Sequence, residues 1–181
     1  MYAKARVAGH LVARPLLSLK TAVAMLEDHA ERIADAVADV PPSRLRSDPL
    51  LGEWTATDVL AHLRCCADTC QDVLPRILAA DRPRLEVLGP RERIETTNYR
   101  ELAFRVSFRA FTRQRGRLLE MLRALAPSAS SRSAFIVERG RRRERTVGDY
   151  TDWLARHEAR HVEDFERFGR RSVGRTLDTG S

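Results

Sequence analysis

Two histidines near the end of the chain, His157 and His161, are four residues apart. Four residues are just over one helical turn, so on a helix both imidazoles leave the same face and can bind one metal ion. Both histidines also fall within an apolar stripe of helical spacing, formed by Tyr150, Leu154, Phe165 and Phe168. Because a buried imidazole nitrogen needs a polar partner, a shared metal ion would satisfy both rings. The spacing therefore predicts a metal site on the last helix.

The same segment, residues 157–161, also satisfies the HExxH pattern of zinc proteases, in which Glu158 would be the general base. One class of these proteases would need glycine and histidine at the positions of Asp164 and Arg167. Another class would need a downstream glutamate on a different helix, and no glutamate follows Glu166. A protease is therefore not favoured, and Glu158 is interpreted as incidental, or as a residue that orients a ligand or a water molecule.

Among the remaining histidines, His62 is the candidate third ligand. His10 lies in an N-terminal segment that we expect to be frayed, and the spacing of His29 is typical of a boundary residue. His62 is about 9 Å from the start of its predicted helix, and His161 is about 10 Å from the end of the last helix. If these two helices are antiparallel, all three imidazoles lie at one level. Three protein ligands, with further positions open to water, are typical of a catalytic metal site.

Four long helices are expected to position these residues, over 17–40, 55–80, 98–126 and 146–168. Two prolines end the first helix, and Thr55 with Asp58 fits a capping box at the start of the second. The third helix has an apolar stripe that Arg115 interrupts, so we expect Arg115 to be paired or to extend to the edge of the fold. The sequence therefore predicts an all-α fold, a four-helix bundle.

The connections between the helices indicate their order. The segment between the second and third helices is long enough to cross the bundle, which predicts that these two helices are parallel. An apolar run and Gly140 within residues 134–146 favour a short hairpin before the last helix. The predicted order is up-down-down-up. The expected division is an N-terminal extension over 1–16, the bundle over 17–168 and a flexible C-terminal tail over 169–181.

The chain has 181 residues, 43% of them hydrophobic and 31% charged, which is typical of one soluble globular domain. Its net charge of +7 is compatible with nucleic-acid binding. The arginines, however, are spread along every segment and interleaved with acids, so a nucleic-acid partner is not expected. We interpret the dense cluster at residues 139–145 as a solvated turn in preference to a phosphate-binding patch.

Three cysteines, Cys65, Cys66 and Cys70, lie within one helical segment and lack CxxC spacing. They indicate reduced thiols in a cytoplasmic protein. Cys66 lies one turn from His62 on the same face, where a small core residue is expected and a wall of the metal cavity is the alternative. Charged residues interrupt the short apolar run at the N-terminus, so neither a signal peptide nor a membrane span is expected.

Trp54 precedes the helix that carries His62, the third helix is rich in phenylalanine, and the last helix carries the HxxxH pair. In these features the chain resembles the DinB/YfiT-like proteins over residues 17–168. The resemblance implies a four-helix bundle in up-down-down-up order and a homodimer. It also implies a divalent metal, zinc or nickel, held by water and by His62, His157 and His161. This family includes transferases and isomerases that depend on bacillithiol or mycothiol, proposed metal-dependent hydrolases, and members without an assigned activity.

Three neutral imidazoles would leave the full charge of the ion available to activate water, polarise a carbonyl or stabilise a thiolate. We therefore expect a metal-dependent hydrolase or a low-molecular-weight-thiol (mycothiol-type) transferase that acts on a small molecule. One alternative is a non-enzymatic metal-binding or stress-response interaction module. Another is a purely structural role, in which His157 and His161 hydrogen-bond to acids and no metal binds. Catalytic residues are not assigned, and Tyr99, Arg105 and Phe108 are candidates for pocket walls.

Overall fold

The computed structural model describes residues 14–177, with side chains through residue 171. Its four long helices are α1 (Leu19–Ala36), α3 (Ala56–Ala79), α5 (Phe104–Arg123) and α6 (Val147–Leu177). Two short helices, α2 (Pro42–Ser47) and α4 (Pro90–Arg93), lie in the connections. Both α1 and α3 pack against α5 and α6, so α1 and α3 occupy opposite corners of a four-helix bundle. The predicted bundle is confirmed.

Contacts between α1 and α6 show that these two helices run in the same direction. His29 contacts Glu158, and Arg32, one turn later on α1, pairs with Glu166, two turns later on α6. The start of α5, in contrast, meets the end of α1, because Arg105 donates a hydrogen bond to the carbonyl oxygen of Val37 at 2.9 Å. Helix α5 therefore runs antiparallel to α1 and α6.

Contacts between α3 and α5 show that these helices are also parallel. Arg64 donates a hydrogen bond to Ser107 at 3.1 Å, and seven residues later on both helices Gln71 donates to the Gln114 carbonyl at 2.8 Å. The segment between α3 and α5 must therefore return along the length of the bundle. It contains α4 and a short 3₁₀ turn.

The two helices that carry the candidate ligands begin with the same reciprocal cap. At the start of α3, the Thr55 hydroxyl accepts from the Asp58 N–H, and the Asp58 carboxylate accepts from the Thr55 N–H. Thr146 and Asp149 make the equivalent pair at the start of α6. The capping box predicted from Thr55 and Asp58 is confirmed. Each cap satisfies N–H groups that a helix leaves unpaired, which fixes where α3 and α6 begin.

A small sheet accompanies the helices, and of its strands the all-α prediction included only the short hairpin before the last helix. β4 (Ser133–Glu138) and β5 (Arg141–Thr146) form the hairpin expected before α6, and β3 (Arg84–Glu86) adds a parallel strand beside β4. Arg139 and Gly140 both have positive φ at the turn, as a tight hairpin requires. The arginine cluster interpreted as a solvated turn therefore forms most of β5. A shorter antiparallel pair joins β1 (Pro49–Leu51) to β2 (Trp54–Thr55).

Two of the predicted helix ends differ clearly from the structure. Helix α5 begins at Phe104, six residues after the start expected from the sequence. Helix α6 does not stop before Gly169 but continues to Leu177, so residues 169–177 are helical. Gly169 is a packing residue, because a Cβ there would overlap the Ala36 carbonyl oxygen of α1. The predictions for residues 1–13, including His10, and for residues 178–181 lie outside the described residues.

The buried apolar residues of the bundle form two main clusters, one toward each end. The first contains Leu26, Leu74, Leu118 and Leu154, together with Ile136 of the hairpin. The second contains Ile33, Leu60, Phe111 and Phe165. The boundary between these clusters is polar, and the candidate ligands lie at that level.

Candidate metal centre

A layer of buried polar residues crosses the bundle between its two apolar clusters. Each long helix contributes a member at this boundary: His29 on α1, His62 on α3, Arg115 on α5 and Glu158 on α6. Burying such groups is costly unless they are paired or bind a ligand. The packing of an apolar core therefore does not explain the residue types found in this layer.

The structure brings the three predicted ligands together. The Nε2 atoms of His62 and His157 are 2.9 Å apart. The ring centroid of His161 is 4.7 Å from that of His157 and 5.5 Å from that of His62. The histidine pair on α6 thus faces one histidine on α3, as the sequence predicts from the antiparallel arrangement of these helices.

A thiol lies at the same point. Cys66 Sγ is 3.6 Å from His62 Nε2, and the donor atoms of His62, Cys66 and His157 all lie within 4.8 Å of one another. His161 is not in that closest set, although its ring contacts both other histidines. Burial raises the pKa of the Cys66 thiol well above its ordinary range, so the sulfur is a neutral S–H. The cluster thus offers two overlapping donor sets, one with three imidazoles and one with a thiol in place of His161.

The imidazoles are held in the neutral form that metal binding requires. Burial lowers the pKa of His62 to about 4, and the neighbouring His161 and His157 add to the shift. Burial likewise lowers the pKa of His157 to about 4. Burial also lowers the pKa of His161, although Asp164 acts in the opposite direction. At neutral pH all three rings therefore carry a nitrogen lone pair.

The ring nitrogens that face one another indicate that these rings fit a metal ion. The Nδ1 atoms of His62 and His161 are buried and have no hydrogen-bond partner. Asp164 Oδ2 lies 3.4 Å from His161 Nδ1 but does not meet hydrogen-bond geometry. The close Nε2 atoms of His62 and His157 can share only one proton between them when both rings are neutral. A divalent ion would bind the Nε2 lone pairs of both rings, whereas the Nδ1 atom of His62 would carry its proton and would not be a ligand.

Glu158, the central residue of the HExxH pattern, is fully buried and is committed to other partners. Its carboxylate accepts a hydrogen bond from Arg115 and lies 3.2 Å from His29 Nδ1. Burial acts to raise the pKa of Glu158, but Arg115 and His29 outweigh it and hold that pKa below its ordinary value. Glu158 is therefore an ionised structural anchor, which argues against the general-base role of a zinc protease.

Arg115 and His29 are both buried members of this layer. Arg115 is paired, which confirms the interpretation of its position in the apolar stripe. His29 is only 2% exposed, so its interpretation as a boundary residue is wrong. Its spacing from Leu26 and Ile33, three residues before and four after, is that of the buried face of α1 and could have shown this from the sequence.

Two tryptophans flank the histidines. The ring centroid of Trp54 is 5.6 Å from that of His62, and the ring centroid of Trp153 is 5.5 Å from that of His157. Trp54 belongs to the sequence pattern on which the resemblance rests, whereas Trp153 was not singled out. It lies four residues before His157, so helical spacing alone could have placed it beside that ring.

The residues suggested as pocket walls contact other parts of the bundle. Tyr99 donates a hydrogen bond to Asp68 at 2.9 Å. Arg105 donates to carbonyl oxygens at the end of α1, and Phe108 stacks on Phe104. Their described contacts thus lie away from the histidines.

Comparison with known proteins places the chain in a family. The profile of the DinB superfamily matches residues 21–165, which is most of the bundle and includes all three candidate ligands. The chain belongs to the DinB superfamily. A comparison with curated proteins gives no match.

Among solved structures, this DinB superfamily member is similar to YfiT from Bacillus subtilis, with a TM-score of 0.68 and 19% sequence identity. The alignment covers 91% of this chain and 94% of YfiT. YfiT is described as "a probable metal-dependent hydrolase with an unusual four-helix bundle topology". At this identity the likeness shows the fold. Within residues 14–177, no helix has both the length and the apolarity needed to cross a membrane.

Proposed function

We propose that this DinB superfamily member binds a divalent metal ion, zinc or nickel, through His62, His157 and His161. We further propose that it acts on a small molecule as a metal-dependent hydrolase or a low-molecular-weight-thiol transferase of the mycothiol type. The observation that carries the proposal is the convergence of three neutral imidazoles from two helices, with the Nε2 atoms of His62 and His157 2.9 Å apart. Family membership and the likeness to YfiT support the same conclusion.

The histidines and the tryptophans would have separate roles at this site. The three imidazoles would hold the metal, leaving its remaining positions to ligands from solution. When bound, a divalent metal supplies Lewis acidity, which activates water or a thiol at neutral pH. Trp54 and Trp153 lie against His62 and His157, where they would restrict the access of bulk water.

Arg115, Glu158 and His29 would hold the site in place from within the bundle. Glu158 adjoins His157 in the chain, and its carboxylate is tied to α5 and α1 at the same time. These contacts restrict rotation of α6 about its axis, and so they fix the face on which the histidine pair lies. Glu158 itself would not exchange protons in the reaction, because its charge is needed by Arg115.

The two proposed reactions differ in what the site must accept besides the substrate. A hydrolase needs only water, and the description of YfiT supports that version. A transferase needs a thiol cofactor whose sulfur is ionised near the metal, with an electrophile beside it. The buried Cys66 thiol cannot take the cofactor's place unaided, because its pKa is raised.

Assays on purified protein of known metal content test this proposal. Zinc-loaded and nickel-loaded samples would be offered activated esters and amides, and separately an electrophile with a low-molecular-weight thiol. We expect turnover in one arm, lost in His157→Ala and on removal of the metal. Bound metal without turnover in either arm would favour the non-enzymatic binding module, and absence of bound metal would refute the proposal.

We also propose the arrangement that the family resemblance implies around this site. An up-down-down-up order is supported by the parallel contacts of α1 with α6 and of α3 with α5. A homodimer, a cytoplasmic location and a bundle domain over residues 17–168 remain proposals. The buried, free cysteines support the second of these, because such thiols suit a reducing compartment.

A further inference from the structure

We propose that a cleft between the β4–β5 hairpin and α6 binds a small molecule that carries two or more anionic groups, phosphate or carboxylate. The cleft has a volume of about 1210 Å³, large enough for a metabolite larger than a single phosphate ion. The three candidate ligands do not line it, so it is a second site, beside the proposed metal centre.

The alternation of side chains along β5 builds one wall of this cleft. Arg141, Arg143 and Arg145 are two residues apart, so they lie on one face of the strand, and all three line the cleft. The residues between them are used on the opposite face. Arg142 lies 5.2 Å from the Phe135 ring centroid. Glu144 pairs with Arg82, which lies two residues before the start of β3.

Pairing with β4 shows which way the arginine face is turned. Arg143 is paired with Ile136, and Arg145 is paired with Ala134. Residues directly opposite each other on neighbouring strands share one face of a sheet. Ile136 and Ala134 are buried in the first apolar cluster, so this face is the one turned toward the bundle. Arg141, Arg143 and Arg145 therefore face α6 across the cleft.

Helix α6 forms the facing wall. It contributes Trp153, Arg156 and Arg160, with Asp149 and Asp152 at its start. Glu163 lies further along this wall, and the two aspartates at its start are already engaged. Asp149 caps α6, and Asp152 pairs with Arg156 at 2.7 Å and accepts from the Leu17 N–H at 2.9 Å. Neither aspartate is available to neutralise β5.

The cleft as a whole therefore carries an excess of positive charge. Among residues 14–171, seven arginines and four acids line it. Within the described side chains, Arg139 and Arg156 pair with carboxylates, whereas no carboxylate lies in ion-pair contact with Arg141, Arg143, Arg145 or Arg160. A concave surface that carries charge of one sign concentrates its potential and attracts ions of the opposite sign. Guanidinium groups bind phosphate and carboxylate with two parallel hydrogen bonds, which makes an anion the fitting occupant.

Trp153 connects this cleft to the histidines. Its side chain lines the cleft, and its ring centroid is 5.5 Å from that of His157. A ligand held by the arginines at its anionic end could reach across Trp153 to His157 with its other end. The anion site would then bind the substrate or thiol cofactor of the metal centre, an extension that rests on the proposed function.

Binding of defined anions to the protein as purified tests the cleft. Fructose 1,6-bisphosphate and propane-1,2,3-tricarboxylate are the polyanion probes, which separate phosphate from carboxylate recognition. Fructose 6-phosphate and acetate are their single-charge counterparts. We expect at least one polyanion to bind at least ten times more tightly than its counterpart, and its binding to weaken as salt is raised. Titration calorimetry gives the dissociation constants.

Neighbouring residues of β5 provide matched variants. Arg143→Ala and Arg145→Ala should each weaken polyanion binding at least tenfold, whereas Arg142→Ala should change it less than threefold. Arg142 is the proper control because it removes the same charge from the same strand but lies on the opposite face. All three residues are exposed, so the variants are expected to fold, and far-ultraviolet circular dichroism checks this.

Three results would overturn the proposal: no polyanion binding, equal weakening by Arg142→Ala and Arg143→Ala, or tighter Arg143-dependent binding of a short single-stranded oligonucleotide than of either probe. The last result would identify a nucleic-acid surface. Failure of the metal proposal is separate, because it is measured as metal content. Metal-free His161→Ala protein should still bind the polyanion, and Arg143→Ala protein should still bind metal.

Discussion

Replacing Glu158 with glutamine removes a charge from the centre of the buried polar layer. The Glu158 side chain is 0% exposed and that of its partner Arg115 is 3% exposed. Within residues 14–171 no second carboxylate pairs with Arg115, and its Nε and Nη1 atoms already lack hydrogen-bond partners. The substitution would therefore leave a buried guanidinium without a counter-charge. His29 would lose its charged acceptor at the same time.

Breaking one side of a buried ion pair costs about 3–5 kcal/mol, because the remaining charge is buried and uncompensated. We expect Glu158→Gln to lower the free energy of unfolding by about that amount. A domain of this kind is stable by about 5–15 kcal/mol, so the variant should fold but unfold at clearly lower denaturant. Arg115→Met combined with Glu158→Gln removes both charges. The double variant should cost less than the sum of the single variants by about 2 kcal/mol.

Urea unfolding followed by far-ultraviolet circular dichroism measures these differences. Metal-stripped protein should be used, because a bound ion adds its own binding free energy to the folded state. Glu163→Gln is the matched control. Glu163 is on the same helix with a side chain that is 61% exposed, and it is 4.0 Å from its partner Arg167. Its replacement should change stability by less than about 0.5 kcal/mol.

A Glu158→Gln variant as stable as Glu163→Gln would refute the anchoring role of the buried pair. Simple additivity in the double variant would show that Arg115 and Glu158 do not depend on each other. If Glu158→Gln abolished a peptidase activity without changing stability, Glu158 would be acting as the base of the HExxH pattern. The experiment thus separates a structural glutamate from a catalytic one.

The close approach of α1 and α6 predicts that Gly169→Ala lowers the free energy of unfolding by about 1–3 kcal/mol, because the new methyl group overlaps the Ala36 carbonyl oxygen. Gly116→Ala, on a helix with open space at that point, should raise it by about 0.5–1 kcal/mol. Equal effects of the two changes in urea unfolding would contradict the packing described. Metal-stripped protein should become less stable as the pH falls from 6.5 to about 4. Histidines of the unfolded chain bind protons in this range, whereas His62 and His157 of the folded protein, with pKa values of about 4, do not. Urea unfolding at a series of pH values tests this, and His62→Gln with His157→Gln should flatten the profile.

The four helices and the histidine cluster could be predicted because their signals are local. Apolar spacing gives the buried face of a helix, and a capping pair such as Thr55 and Asp58 gives its start. The cap at Thr55 gives the depth of His62 from a correct helix start. The depth expected for His161 was counted from an end before Gly169, whereas α6 continues to Leu177, so the agreement in level does not come from the true end of α6.

The sheet and the rest of the polar layer depend on contacts that are distant in sequence. Strand β3 has three residues and pairs with β4 about fifty positions later, so neither alternation nor a turn marks it. Strand β5 is arginine-rich and lacks the apolar alternation of a half-buried strand. The partner of Arg115 could not be named, because it follows from which faces of α5 and α6 meet in the folded bundle.

Metal content of His161→Ala and Cys66→Ala, compared with the unchanged protein, tests the central claim most directly. The two variants remove alternative donors from the same cluster, and inductively coupled plasma mass spectrometry counts bound zinc and nickel after equilibration with each ion. If His62, His157 and His161 hold the ion, Cys66→Ala should retain about one metal per chain and His161→Ala should lose it. Metal retained by His161→Ala and lost from Cys66→Ala would contradict the three-imidazole site.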